Sequence, residues 1–305
     1  MFEISDAFCY NSRMKIREMT ASAGRKIGIF FELVKFEHTI FALPFAFIGA
    51  LIGGSGSIPA DKIVFILLAM VGARTAGMAL NRIIDRDIDA KNPRTSTRAI
   101  PRGAIGTAAV WAIIAVSLAL FLFAAFSLNE TCFKLSPVCM FFLFLYSYTK
   151  RFTSLSHFVL GFILAIAPAG GYLAVRPVLE APWILLSASV LTWVAGFDII
   201  YSCQDIEFDR KENLYSIPAK AGAQKALFLS RVLHAFTVAG LVTLGRLIAA
   251  GPWYYAAAAA CISLLAYEHS LLRGGNLENV DVAFFNVNGY VAVIMLAGTL
   301  LNYYL

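Results

Sequence analysis

Two short runs carry most of the chemistry that the sequence offers. The first is Asn81-Arg82-Ile83-Ile84-Asp85-Arg86-Asp87-Ile88-Asp89, and the second is Asp198-Ile199-Ile200-Tyr201-Ser202-Cys203-Gln204-Asp205-Ile206-Glu207-Phe208-Asp209. At about 100° per residue, Asn81, Asp85 and Asp89 share one helical face, with Arg74 on the same stripe. Asp198, Tyr201, Asp205 and Asp209 likewise share a face, while Glu207 points away. Several carboxylates on one stripe repel one another unless something positive sits between them. An oxygen-only set of Asn and Asp, without His or Cys, suits a hard cation, and Mg2+ fits best because it takes few carboxylates and bridges to substrate phosphates. Cations follow each run: Lys91, Arg94, Arg98 and Arg102 after the first, and Arg210, Lys211 and Lys220 after the second. Arginine matches phosphate oxygens in a two-pronged geometry. Acidic stripes, a metal and guanidinium groups together describe a site for a diphosphate. For one stripe alone, an interfacial helix end held by ion pairs four residues apart is an equal reading. Two such stripes weigh against it.

These residues must be positioned by membrane helices. Of 305 residues, 59% are hydrophobic and 14% charged, against roughly a quarter charged in soluble domains. The 25 Phe and 12 Tyr exclude a disordered chain. Apolar runs long enough to cross about 30 Å of hydrocarbon predict helices near 38–57, 61–84, 106–128, 134–149, 154–175, 181–203, 223–246, 250–270 and 281–303. The chain therefore reads as an all-α polytopic membrane protein of about nine spans. Residues 1–37 read as an N-terminal interfacial arm and 38–305 as one transmembrane domain.

Lys and Arg alternate with loop parity. The arm (Arg13, Lys15, Arg17, Arg25, Lys26, Lys35), the second loop, Lys150-Arg151, the sixth loop and Arg273 are basic, whereas the intervening loops hold only Lys62, Lys134, Arg176 and Arg246. By the positive-inside rule this places the N-terminus and both acidic runs on the cytoplasmic side of the inner membrane, with Leu305 outside. The net charge of +6 is then topology plus anion binding, and nucleic acid is not an expected partner.

Arg74, inside the second helix, has two readings: a counter-ion for a facing acid such as Asp198, or a receptor for a substrate carboxylate. Tyr201 is read either as packing or as part of the site. Lys150 and Arg151 are read either as diphosphate contacts or as a topology signal. Cys9, Cys132, Cys139, Cys203 and Cys261 form no CxxC pair and read as apolar fillers. Pro44 and Pro168 point to kinks around a cavity. Gly53, Gly54, Gly56, Gly274 and Gly275 read as loop ends without phosphate-loop spacing. Phe141, Phe142, Phe144 and Tyr146 are candidate cavity residues, with ordinary packing as the other reading. The two runs also resemble each other: Asp85-xxx-Asp89 leads through Asn92 to Ile100-Pro101-x-Gly103, and Asp205-xxx-Asp209 through Asn213 to Ile217-Pro218 and Gly222. This pattern is that of a duplicated helix-loop unit.

In these motifs the chain resembles the UbiA superfamily of intramembrane aromatic prenyltransferases. The resemblance rests on Asn81-xxx-Asp85-xxx-Asp89 with Arg94-Thr95 and Arg98-xx-Pro101-x-Gly103, on Asp198-xx-Tyr201-xxx-Asp205-xxx-Asp209 with Ile217-Pro218, and on Tyr146-Ser-Tyr148-Thr-Lys150-Arg151-Phe-Thr153. It is nearest to 4-hydroxybenzoate polyprenyltransferases and to the menaquinone-branch enzymes that prenylate a dihydroxynaphthoate. Arg82, where some members carry a second Asp, and Gln204, where others carry Lys, separate it from other branches. The resemblance implies a nine-helix bundle around a central cavity, capping loops over the diphosphate and a side opening for the tail. It further implies Mg2+ on Asn81, Asp85, Asp89, Asp205 and Asp209, with Lys91, Arg94, Arg98, Lys150 and Arg151 on the polyprenyl diphosphate. Asp198, Tyr201 and Arg74 would then serve the aromatic acid. A prenyltransferase acting on lipid or haem is the runner-up. A secondary transporter ranks lower, since transporters set their acids near the bilayer midplane.

Overall fold

The structure, a computed structural model, describes residues 28–34, 39–272, 277 and 280–305. The basic arm residues Arg13, Lys15, Arg17, Arg25, Lys26 and Lys35, together with Cys9, Arg273, Gly274 and Gly275, lie outside the described residues. Within the expected arm, residues 28–34 are helical, Leu33 and Val34 are buried, and Glu32 accepts from Arg102 at 2.5 Å.

Among the described residues, nine long helices form where the apolar runs predict them: α1 (Thr39–Gly53), α2 (Ala60–Ile84), α3 (Thr107–Leu128), α4 (Glu130–Thr149), α5 (Ser156–Val175), α6 (Ala181–Ser202), α7 (Ala223–Leu247), α8 (Pro252–Leu271) and α9 (Val282–Tyr304). Seven of them, all but α1 and α8, are long and apolar enough to cross a membrane. No strand occurs among the described residues. α1 ends four residues earlier than its apolar run, because Ser55 and Gly56 take positive φ (51° and 94°) and turn the chain. α4 starts earlier than predicted: Asn129 caps it by accepting from the Cys132 N–H, and Glu130 pairs with Lys134 one turn on.

α2, α3 and α4 pack together, α5 joins them to α1 and α6, and α7, α8 and α9 close the ring back onto α1. α1 and α5 approach backbone to backbone. A Cβ on Gly49 would stand 2.1 Å from the Pro168 carbonyl oxygen, and one on Gly171 would stand 1.9 Å from that of Ala46. Trp111, Val116, Phe123, Phe126, Phe141, Phe144, Phe228 and Phe236 stay exposed around the outside. Such a belt is stable against lipid and not against water. Cys139, Cys203 and Cys261 are buried and Cys132 half-buried, all as free thiols, consistent with apolar filling.

The cavity is walled by α1–α6, with Phe284 of α9. It measures about 520 Å³ and runs from the acidic ends of α2 and α6 to Leu128, Cys132, Leu173 and Trp183 at the opposite ends of the helices. Its middle is lined by Met70, Ala73, Gly77, Leu143, Ile163 and Ala167. Leu135 and Val138 of α4 line it and are exposed, marking the wall where it nears the lipid-facing surface. Of the aromatic run on α4, only Tyr146 lines the cavity. Phe141 and Phe144 turn outward, and Phe142 packs on Phe162 with centroids 4.4 Å apart.

Candidate active site

Each acidic run breaks its helix at the same place. α2 stops at Asp85 (φ −91°, ψ 7°) and the chain resumes as the short helix Arg86–Lys91; Asp205 (φ −102°, ψ 9°) precedes Ile206–Lys211 in the same way. The continuous helical stripes predicted from the sequence are thus kinked at the first carboxylate of each pair. The second carboxylate still faces the same cavity, because the Asp89 N–H keeps its bond to the Asp85 carbonyl at 2.7 Å. The loops that follow hold the carbonyl of each deeper acid: Thr95 Oγ1 donates to Asp89 O at 3.0 Å, and the Leu214 N–H donates to Asp209 O at 2.8 Å. Both loops then pass through a glycine of positive φ, Gly103 at 72° and Gly222 at 82°.

Asn81, Asp85, Asp89, Asp205 and Asp209 all line the one cavity. Asn81 Nδ2 donates to Asp85 Oδ2 at 2.8 Å, and Arg151 Nη2 donates to Asp85 Oδ1 at 3.3 Å and to the Ile84 carbonyl at 2.7 Å. Burial, then the neighbouring Asp89, pushes the Asp85 carboxyl up to about 6. Arg98 Nη1 donates to Asp89 Oδ1 at 2.6 Å, with the buried Arg82 guanidinium 3.9 Å from Oδ2. Arg94 crosses between the runs: Nε and Nη2 donate to the two oxygens of Asp205 at 3.0 and 2.6 Å, and Nη1 donates to Tyr201 Oη at 2.9 Å. Burial disfavours the Arg94 charge, but the bidentate pair with Asp205 outweighs it and holds the guanidinium above its ordinary pKa. Asn92 Nδ2 adds a bond to Asp205 Oδ1 at 3.2 Å.

Two oxygens stand out. Asp89 Oδ2 and Asp209 Oδ2 are buried with no hydrogen-bond partner among the described residues, and Asp89 Oδ2 has only the Arg82 guanidinium at 3.9 Å, too far to donate to it. A carboxylate oxygen in that position is costly unless a cation meets it. Together with the oxygen-only donor set, this fits a hard divalent ion.

Arg94, Arg98 and Lys150 reach the cavity. Lys91 does not line it, and instead pairs with Glu212 at 2.7 Å, tying the two caps together. Arg151 stands at the rim. Of the two readings of Arg74, pairing with Asp198 is not what the structure shows. Arg74 lines the cavity with Nε and Nη2 buried and unpartnered among the described residues, and Asp198 is bound by His157 Nδ1 at 2.7 Å. Tyr201 stacks on Phe284 with centroids 4.2 Å apart and lines the cavity. Sequence reasoning missed His157 and Asn92. His157 is fully buried at the start of α5, and a histidine inside a membrane helix is a signal in itself.

The fold and motifs are those of known proteins. Residues 42–290 match the UbiA prenyltransferase family. The chain belongs to that family. It is therefore a prenyltransferase and an integral membrane protein. It is 31% identical to a 4-hydroxybenzoate octaprenyltransferase of Alcanivorax borkumensis, over 83% of this chain and 87% of the relative. Among solved structures, a UbiA homolog from Aeropyrum pernix K1 aligns with TM-score 0.80 at 35% identity, covering 87% of this chain and 98% of that one. A UbiA homolog from Archaeoglobus fulgidus bound to GPP and Mg2+ shares the fold, with TM-score 0.74 at 20% identity over 91% of this chain and 100% of that one.

Proposed function

We propose that this prenyltransferase moves a polyprenyl group from its diphosphate to an aromatic acid of the 4-hydroxybenzoate type, in quinone biosynthesis. The observation that carries this reading is the junction of four carboxylates and four cations, Arg82, Arg94, Arg98 and Lys150, with the mouth of a long apolar cavity. One end suits a metal diphosphate and the other a hydrocarbon tail. The acceptor follows from the curated relatives, one of which, from Aeromonas salmonicida, is 30% identical over 83% of its length. The bundle is read as one transmembrane domain after an N-terminal arm, in the inner membrane with the site toward the cytoplasm, a reading that the alternation of loop charges supports.

Asp85, Asp89, Asp205 and Asp209, with Asn81, would hold Mg2+, and the ion would neutralise charge on the departing diphosphate. Arg94, Arg98 and Lys150 place fixed positive charge where that negative charge grows, with Arg151 supporting Asp85 at the rim. As the allylic C–O bond breaks, its electron pair leaves with the diphosphate. The apolar walls keep water from the resulting cation. A ring carbon ortho to the phenolic hydroxyl then forms the new C–C bond, and its proton departs. Arg74 offers two unpaired N–H donors to the acceptor carboxylate. Asp198, oriented by His157, accepts from the phenolic hydroxyl and raises the electron density of the ring. Tyr201, held by Arg94, closes that side.

The test is transfer of labelled prenyl groups in membranes offered 4-hydroxybenzoate and 1,4-dihydroxy-6-naphthoate together. Prenylated hydroxybenzoate, lost in Asp85→Asn and Asp205→Asn and on chelation of divalent metal, is the expected result. Prenylated naphthoate moves the enzyme to the menaquinone branch, prenyl lipid or haem moves it to the runner-up class, and full activity in either variant removes the metal assignment.

A further inference from the structure

Away from the cavity, α7 and α8 bring together His234, Glu268 and His269. No part of the proposed reaction uses them. His234 Nδ1 lies 3.0 Å from His269 Nε2 and 3.4 Å from Glu268 Oε2, and one ligand atom from each residue falls within 4.8 Å of the others. Glu268 is fully buried and His234 nearly so.

The hydrogen bonds around the cluster fix its protonation. His234 Nε2 faces the Trp193 carbonyl oxygen at 3.2 Å, an acceptor, so Nε2 carries the proton and Nδ1 presents a lone pair to the cluster. Asn288 Nδ2 donates to Glu268 Oε1 at 2.8 Å, and Asn288 Oδ1 accepts from Trp193 Nε1 at 2.7 Å. Glu268 Oε2 is left buried without a hydrogen-bond partner among the described residues, aimed at the His234 lone pair. Two acceptors facing each other at 3.4 Å inside a membrane bundle need a proton or a cation between them, and the His269 Nε2 at 3.0 Å can serve His234 Nδ1 as a donor or, with its lone pair, join it around an ion.

We propose that His234, Glu268 and His269 bind a zinc ion that pins α7 to α8. Two imidazoles and a carboxylate are a recurrent zinc set, and ligands about 2.0–2.1 Å from a tetrahedral ion stand roughly 3.4 Å apart. The separations of 3.0 and 3.4 Å from His234 come within a few tenths of an ångström of that, and the Glu268–His269 edge, within 4.8 Å, would have to shorten as the side chains close on the ion. The contacts around two of the three ligands match as well, while His269 Nδ1 is buried without a partner among the described residues. A zinc-bound histidine gives its other N–H to a backbone carbonyl, as His234 does to Trp193, and a ligating carboxylate accepts from a neighbour, as Glu268 does from Asn288. Half-buried His269 marks the side by which an ion and a fourth ligand, water, would enter. This site differs from the diphosphate site in ligand chemistry. Nitrogen donors favour zinc, and all-oxygen donors favour magnesium.

The test uses the full-length protein in detergent, equilibrated with buffered zinc in excess Mg2+ and then freed of unbound metal. Elemental analysis should find about one zinc per chain, and absorption at the zinc edge should show two imidazole nitrogens. Glu268→Gln and His269→Gln should each lower zinc affinity at least tenfold, while Asp85→Asn should leave it unchanged. Prenyl transfer at saturating Mg2+ should persist in the Glu268 and His269 variants, showing that they fold. Less than about a tenth of an ion per wild-type chain overturns the proposal without recourse to any variant. So does zinc lost in Asp85→Asn and retained in Glu268→Gln, or an edge spectrum without imidazole.

Discussion

The two acidic caps share a backbone and differ in how they are charged. In both, an aspartate of the same conformation precedes a short helix, directly after α2 in the first and after a tighter turn, Cys203–Asp205, in the second; a second aspartate is buried one turn on, and the chain leaves through a glycine of positive φ. The first cap nevertheless supplies an arginine to each. Arg98 holds its own Asp89, and Arg94 reaches over to Asp205. The corresponding cation of the second cap, Arg210, turns its Nε to the Ala219 carbonyl at 2.8 Å and braces its own loop. Symmetry in the backbone thus carries an asymmetric field: a paired acidic cradle whose positive wall is built from the first cap and from Lys150 and Arg151 of the α4–α5 loop. A diphosphate entering it would be oriented by that wall, with the tail directed down the cavity between α2, α4 and α5.

If the carboxylates are equivalent and only the cations differ, Asp89→Asn and Asp209→Asn should each lower kcat/KM roughly 1000-fold in a labelled-prenyl assay. A variant that keeps a tenth of wild-type activity would break the equivalence. The cation asymmetry predicts a smaller and one-sided effect. Arg94→Lys should cost roughly 10–100-fold, mostly as a raised KM for the diphosphate, because lysine cannot reproduce the bidentate contact, whereas Arg210→Lys should change KM by less than about threefold. A double-mutant cycle sharpens this: Arg94→Ala with Asp205→Asn should show a coupling of about 1–3 kcal/mol, and Arg210→Ala with Asp89→Asn should add within about 0.5 kcal/mol. The smallest effect belongs to the exposed Lys91–Glu212 pair joining the caps, where Lys91→Ala should leave kcat/KM within about twofold.

The helices were legible because each apolar run is bounded by charge, and most ends fall within a few residues of prediction. That the acids of the two runs meet at one site was legible because carboxylates are rare in so apolar a chain. What the sequence hid was geometry that depends on partners distant along the chain. A 100° periodicity carries no sign that the helix stops at Asp85. Nothing near Arg94 in sequence announces Asp205, more than a hundred residues on. His157 escaped for the same reason, since its meaning comes from Asp198 on the next helix. The pairing of Arg74 with Asp198 was a fair reading of two charges in one membrane, and the packing of α5 gave Asp198 to a histidine instead.

The seam between α1 and α5 bears on how the cavity changes. With carbonyls lying where a Cβ of Gly49 or Gly171 would be, these two helices form a fixed jaw. They can neither spread nor slide without losing close backbone contact along most of α1. Any widening to admit a bulky tail therefore falls to the opposite jaw, α2–α4, whose outer phenylalanines move through fluid hydrocarbon. Substrate size is then set by one flexible wall working against a rigid one.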